Sequence, residues 1–318
     1  MTVESQRIRF HLSWCIVAAL VLAVVIHLPA QAQSPPGGTT ASLGSPPGES
    51  SGFFQDWFKR VDRALASEPS WAAPLVMATP RVVELFRFDT LLADVRTNVT
   101  SANYGLGRGL SLVPNETTQV SLGIPGYIVR NGGRAPGAGF ADLPIVTIKE
   151  RLLSANAANG DYILTAFVST TGPTGATLFT ENAYTITPGL YGGKGWGNFN
   201  IQGSIGGSFP FTNVAVIGNS LVSNLVFQYH LGQYLSPELE LNNTYWFDGL
   251  RRGKDQTFLT LGSILGRFNI AGRFNIAGRF NLSVGAGYQV ALTPAFVVRP
   301  AVTPLYARAV VTTFRLSF

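Results

Sequence analysis

The chain has 318 residues, with 23 Lys and Arg against 17 Asp and Glu, a formal net charge of +6, and only 13% charged residues. Soluble domains carry about 25% charge, so much of this surface is not composed to face water, and without a cluster of Lys and Arg no nucleic-acid partner is expected. A single cysteine, Cys15, and three histidines exclude a disulfide scaffold and a thiolate metal centre, and no cofactor or metal is expected.

Arg7 and Arg9 precede the apolar run CIVAALVLAVVIHL, and Ala30 and Ala32 follow it in the small-residue pattern of a cleavage site. The pattern predicts a signal peptide over 1–32, because the run from Trp14 to Leu28 is shorter than the roughly 20 residues of a spanning helix. Cys15 lies ahead of the cleavage site and is no lipid acceptor. Residues 33–52, QSPPGGTTASLGSPPGESSG, are expected to form a disordered linker, since they hold too little apolar area to fold. Within 53–72, Phe54, Trp57, Phe58, Val61 and Leu65 recur at helical spacing, while Asp56, Lys59, Arg60 and Asp62 fall mostly elsewhere. That spacing predicts a short amphipathic periplasmic helix ended by Pro69. Its expected place is under a barrel rim or at the membrane interface, with entry into a lumen as the sharper alternative.

From 73 to 318 the chain reads as an outer-membrane β-barrel, because the period changes to two from about Pro80. In NFNIQGSIGGS, Phe199, Ile201 and Ile205 oppose Asn200, Gln202 and Ser204. In ELELNNTYWF, Leu239, Leu241, Tyr245 and Phe247 oppose Glu238, Glu240, Asn242 and Thr244. Two carboxylates belong in a lumen, not in lipid. In NLSVGAGYQV, Leu282, Val284, Ala286 and Tyr288 oppose Ser283, Gly285, Gly287 and Gln289. Further segments at 80–90, 95–105, 117–130, 141–154, 160–171, 181–192, 222–234 and 256–268 are separated by Gly, Pro, Asn and Asp turns. The fold class is therefore all-β, an antiparallel up-and-down transmembrane barrel of about 12 strands within a range of 10–14, an even number being the bacterial rule. Tyr127, Tyr162, Tyr191, Trp196, Tyr229, Tyr245, Trp246 and Tyr306 lie near segment ends, where aromatic girdles are expected.

Between Gly266 and Asn281 the unit GRFNIA repeats without a mismatch. An even unit preserves side-chain parity, so Arg267, Arg273 and Arg279 are expected to form a ladder on one face. The chain closes on ARAVVTTFRLSF, with Val310, Thr312, Phe314, Leu316 and Phe318 on one face and Val311, Thr313, Arg315 and Ser317 on the other. Phe314, Leu316 and Phe318 resemble the terminal signature by which bacterial outer-membrane barrels engage their assembly machinery.

GFADLPIVTIKERLL, DYILTAFVSTTGPTG and ITPGLYGGKGWGNFNIQGSIGGSFP resemble the outer-membrane transporter-like family assigned to the meta-pathway of phenol degradation. The resemblance rests on Gly139, Asp142 and Lys149, then Gly172, Pro173, Thr174 and Gly175, then Pro188, Gly192, Lys194 and Pro210. It spans about 75–318 and is strongest over 139–210. It implies an outer-membrane barrel that passes hydrophobic or aromatic compounds. The hexapeptide repeat and the long linker depart from the pattern.

Lys149, Arg151, His230, Glu238, Glu240 and Arg315 are the candidate lumen-lining residues, set to neutralise one another across the interior or to form charged rings. Phe167 and Trp246 are candidate contacts for a greasy solute. No catalytic residue is expected. His230, the one histidine beyond the signal segment, has Ser223 and Ser236 near it in sequence, but no spacing marks an activated nucleophile. The expected function is a passive outer-membrane channel for small hydrophobic or aromatic molecules in a Gram-negative cell, with outer-membrane lipid around it. The alternatives are a structural or adhesin-like barrel without conductance and a lipid-modifying barrel enzyme.

Overall fold

The computed structural model describes residues 53–96, 98–133, 136–270, 279–294 and 306–318. The signal peptide and linker expected over 1–52 lie outside the described residues, as does Arg273. One helix, α1 (Phe53–Ala66), precedes the sheet. The strands are β1 (Leu85–Arg96), β2 (Val99–Gly105), β3 (Gly109–Leu112), β4 (Thr118–Gly123), β5 (Tyr127–Asn131), β6 (Gly137–Phe140), β7 (Leu143–Ala155) and β8 (Tyr162–Gly172). They continue as β9 (Thr185–Trp196), β10 (Phe199–Pro210), β11 (Ser220–Tyr229), β12 (Leu235–Trp246), β13 (Asp255–Asn269), β14 (Asn281–Ala291) and β15 (Arg308–Ser317).

Every neighbouring pair is antiparallel, and β15 returns to β1 with Leu85 opposite Ser317 and Asp94 opposite Arg308. This pairing closes the sheet on itself. Three staves are each broken in two, β2 with β3, β4 with β5 and β6 with β7, so the fifteen segments make the 12 strands of a closed barrel. The first break needs glycine: Gly105 and Gly107 take φ of +94° and +71°, on either side of Leu106 at +49°. These left-handed positions bend the stave and shift its register on β1 by two residues.

Side chains alternate as the sequence predicts. Val310, Phe314, Val284, Tyr288, Leu261 and Leu265 are exposed on the outside, while Val311, Thr313, Arg315, Gln289 and Thr260 are buried inside. An outer wall of large apolar side chains is the surface a bilayer accepts and water does not. Tyr127, Trp196 and Tyr229 stand on this outer face near strand ends. Tyr191 and Trp246, expected with them, are buried in the lumen instead, because they share parity with inward Gly193 and with Glu240 and Asn242.

The first wall strand begins at Leu85, whereas periodicity starts it near Pro80. Helix α1 ends at Ala66, so residues 67–84, which the sequence divides between helix and barrel, belong to neither. They fill the lumen. The helix itself lies across the barrel end that holds the start of β1 and the end of β15. There Val61 and Ala64 pack on Val82 and Val113, and Trp57 Nε1 donates to Glu84 at 2.7 Å.

The repeat departs from its expected ladder. A bulge between Gly266 and Phe268 puts Arg267 at φ +68° and turns its side chain toward residues 70–71, while Arg279 reaches Asp62 of α1 at 2.8 Å and covers the Phe58 ring.

If the outer wall faces hydrocarbon, Leu261→Arg near the middle of β13 should cost about 2–4 kcal/mol in reversible unfolding from bilayers, and Trp196→Arg beside a turn about 1 or less. Equal costs would contradict that placement.

Candidate functional site

Residues 67–84 contain Pro69, Pro74 and Pro80 and form neither helix nor strand, so their main-chain groups have no regular partners. Inside a barrel those groups must be satisfied by the wall. Arg315 donates to the carbonyl oxygens of Ala73 and Pro74, Arg87 to those of Leu75 and Met77, and Arg108 to that of Val76. Lys149 Nζ donates to Thr79 O at 2.8 Å and Arg81 O at 3.2 Å, and Thr165 Oγ1 to Pro80 O at 2.7 Å.

The amides are met by carboxylates. Leu75 N donates to Glu238 Oε1 at 2.6 Å, while Val76 N and Met77 N donate to the two oxygens of Glu240 at 2.7 and 2.9 Å. Lower down, Glu68 accepts from Arg81 at 3.0 Å, Arg151 at 3.3 Å and Val82 N at 2.9 Å, which ties the ascending and descending limbs together.

The candidate lumen residues thus converge on one object. Lys149, Arg151, Glu238, Glu240 and Arg315 all face inward, and all contact residues 64–82 instead of pairing with one another across open space. Sequence reasoning missed Arg87, Asp89, Arg108 and Glu68. Asp89 is buried between Arg87 and Arg108, at 2.8 and 2.9 Å, and so fixes two of the guanidiniums that hold the segment. Its signal was parity: Arg87 and Asp89 are two apart on the lumenal face of β1.

Apolar side chains of the segment enter seats in the wall. Leu75 packs with Ile264 and Val311, and a Cβ on Gly262 would stand 2.8 Å from its methyl. Trp71 lies against Gly193, where a Cβ would meet the indole at 2.5 Å, and its Nε1 donates to Asp161 at 3.0 Å. Glycine in the wall is therefore required by the bulk of the segment, not by a turn. Met77, at the tip, packs with Tyr191, Val226 and Phe167, the two rings 4.3 Å apart. Phe167 and Trp246 both point inward, and only Phe167 touches this seat.

His230 sits just beyond β11 with Nδ1 2.9 Å from Ser236 Oγ. Burial, and then the nearby Arg267 guanidinium, hold its imidazole below the usual value. Ser223 lies up the strand, not beside it. The Ser236–His230 pair lines a lumenal cavity at the helix-bearing end of the barrel.

Solved structures similar to this chain include an outer membrane channel from Pseudomonas putida F1, at 13% identity over 77% of this chain and 98% of that one, with a TM-score of 0.49. The NanC porin is similar at 8% identity over 74% and 98%, TM-score 0.44, and Acinetobacter baumannii OccAB1 at 9% over 76% and 71%, TM-score 0.34. No family model matches the chain, and no curated protein does.

Glu240→Ala strips both tip amides of their acceptor, at about 1–3 kcal/mol for each buried group left unpaired. Hydrogen exchange of Val76 and Met77 should rise at least tenfold, with the Val82 amide unchanged. Uniform exchange along the segment would show that the tip is not held by this carboxylate.

Proposed function

We propose that the protein is a passive outer-membrane channel for small hydrophobic or aromatic molecules, closed in the described state by its own residues 67–84. The observation that carries this reading is the seat of Met77. A thioether, a flexible and polarisable group, fills an apolar recess of Tyr191, Phe167 and Val226, the one of the lumen's apolar seats, among the described residues, that is lined by two aromatic rings. Withdrawing it uncovers a recess chemically suited to an aromatic solute. The resemblance over 139–210 supports the same solute class.

The wall supports reversibility. The segment is held mostly by side-chain bonds to main-chain atoms, which water can replace one by one, and its covalent attachment to the wall is its own continuation into β1 at Leu85. Insertion in the outer membrane, export by the signal peptide and engagement of the assembly machinery through Phe314, Leu316 and Phe318 belong to the same reading. Phe314 faces outward, and Phe318 lies 5.8 Å from Phe280.

A second reading draws on the same occupied lumen: a structural or adhesin-like barrel whose segment never leaves. Single-channel recording of the refolded chain in planar bilayers separates them. A channel should open rarely in the parent, and at least several-fold more often in the Glu238→Ala/Glu240→Ala variant. Phe167→Ala on that background should lower flux of a neutral aromatic solute into liposomes while leaving ion conductance unchanged. Silence of the double variant in a folded barrel would favour the structural reading.

A further inference from the structure

A cavity of about 340 Å³ lies at the helix-bearing end of the lumen, between residues 70–85 and the wall of β11 to β15. Its polar lining includes the guanidiniums of Arg81, Arg267 and Arg315 and the hydroxyls of Ser236, Ser283 and Ser317, and it contains no carboxylate. Arg81 is neutralised by Glu68 at 3.0 Å. The other two form no direct ion pair among the described residues. Arg315 spends its donors on Thr313 and on the carbonyls of Ala73 and Pro74, and Arg267 donates through Nη2 to the carbonyls of Ser70 and Trp71. Carbonyl oxygens satisfy hydrogen bonds without cancelling charge; Glu238, Glu240 and Asp89 attract Arg315 and Glu68 attracts Arg267 through space, but neither guanidinium is capped by a carboxylate on the cavity side among the described residues.

The placement of Arg267 is costly to arrange. It requires a bulge and a left-handed backbone at a residue that is not glycine. The result is a side chain that remains exposed to solvent through the cavity mouth, so a solute can reach it. Ala72, Val83, Leu85, Ile264 and Tyr234 supply an apolar side to the same cavity. A guanidinium fork matches the two oxygens of a carboxylate or phosphate, and the apolar side asks for a short carbon body. The volume is at the small end of ligand pockets, about 300–1,000 Å³.

We propose that this cavity binds a small organic oxyanion, a carboxylate or phosphate ester with a single-ring or similar apolar body, between Arg267 and Arg315. The head group bridges the two guanidiniums, the seryl hydroxyls of Ser283 and Ser317 complete its hydrogen bonds, and the body lies on Ile264 and Tyr234. The site does not depend on conduction, because it is present with residues 67–84 in place and is built partly from them.

The test is isothermal titration of the refolded full chain in detergent with benzoate, phenyl phosphate and the neutral benzyl alcohol. At least one of the two anions should bind saturably, and the tighter one identifies the head group. Benzyl alcohol should bind at least tenfold more weakly. Arg267→Gln should weaken the anion at least tenfold, with heat-modifiable migration confirming a closed barrel. Gln233→Glu, at the exposed rim of the cavity, places a competing carboxylate there and should weaken binding by a similar factor, which decides the matter if the first variant does not fold. Absence of saturable anion binding, equal binding of benzyl alcohol, or parental affinity in the folded variant would overturn the proposal.

Discussion

The structure depends on one exchange: an irregular main chain inside the barrel gives up water, and charged side chains of the wall replace it. Eighteen residues without helix or strand, three of them proline, present carbonyls and amides that have no partners of their own. Cations take the carbonyls and carboxylates take the amides. This division explains why both signs of charge occur deep in one lumen without forming direct cross-lumen pairs. Glu238 and Glu240 accept at the tip from three successive amides, and Arg87, Arg108 and Arg315 donate to the five carbonyls of residues 73–77.

Packing follows from the same exchange. A polar zipper alone fixes the main chain but leaves side chains to be housed, and the wall houses them by omission. Gly193 makes room for Trp71, Gly262 and Gly287 for Leu75, and an apolar recess takes Met77. Each hydrogen bond to a charged group in this set is worth about 1.5–3 kcal/mol net against water, so the segment is held by many separate terms. Such an arrangement is firm as a whole and can be released stepwise, which is the property a stopper needs if it is to leave.

Much of this was legible from alternation. Period two in β10, β12, β14 and β15 assigned the inward residues correctly, because one face meets apolar surroundings and the other does not, and a slip by one would reverse them. The lumenal segment was not legible, since SEPSWAAPLVMATPRVVE matches neither period and reads as a connection. Two indirect signals pointed to it. The inward faces carry long charged side chains of both signs, and they carry glycines at Gly193, Gly195, Gly285 and Gly287 where side chains would otherwise fill the interior. Tyr191 and Trp246 were misplaced for a simpler reason: proximity to a strand end suggests a girdle, but parity decides the face. Arg267 escaped parity altogether, because a bulge shifts the count by one.

The central claim is that residues 67–84 close the lumen and that their departure opens it. The only cysteine is Cys15, ahead of the expected cleavage site, so a pair placed at Met77→Cys and Val226→Cys can be oxidised without competition in the processed chain. Conductance in planar bilayers, recorded before and after reduction, reads the claim directly. The account predicts a silent oxidised barrel in which openings appear on reduction. Equal conductance in the two states, with the cross-link shown to have formed, would contradict it.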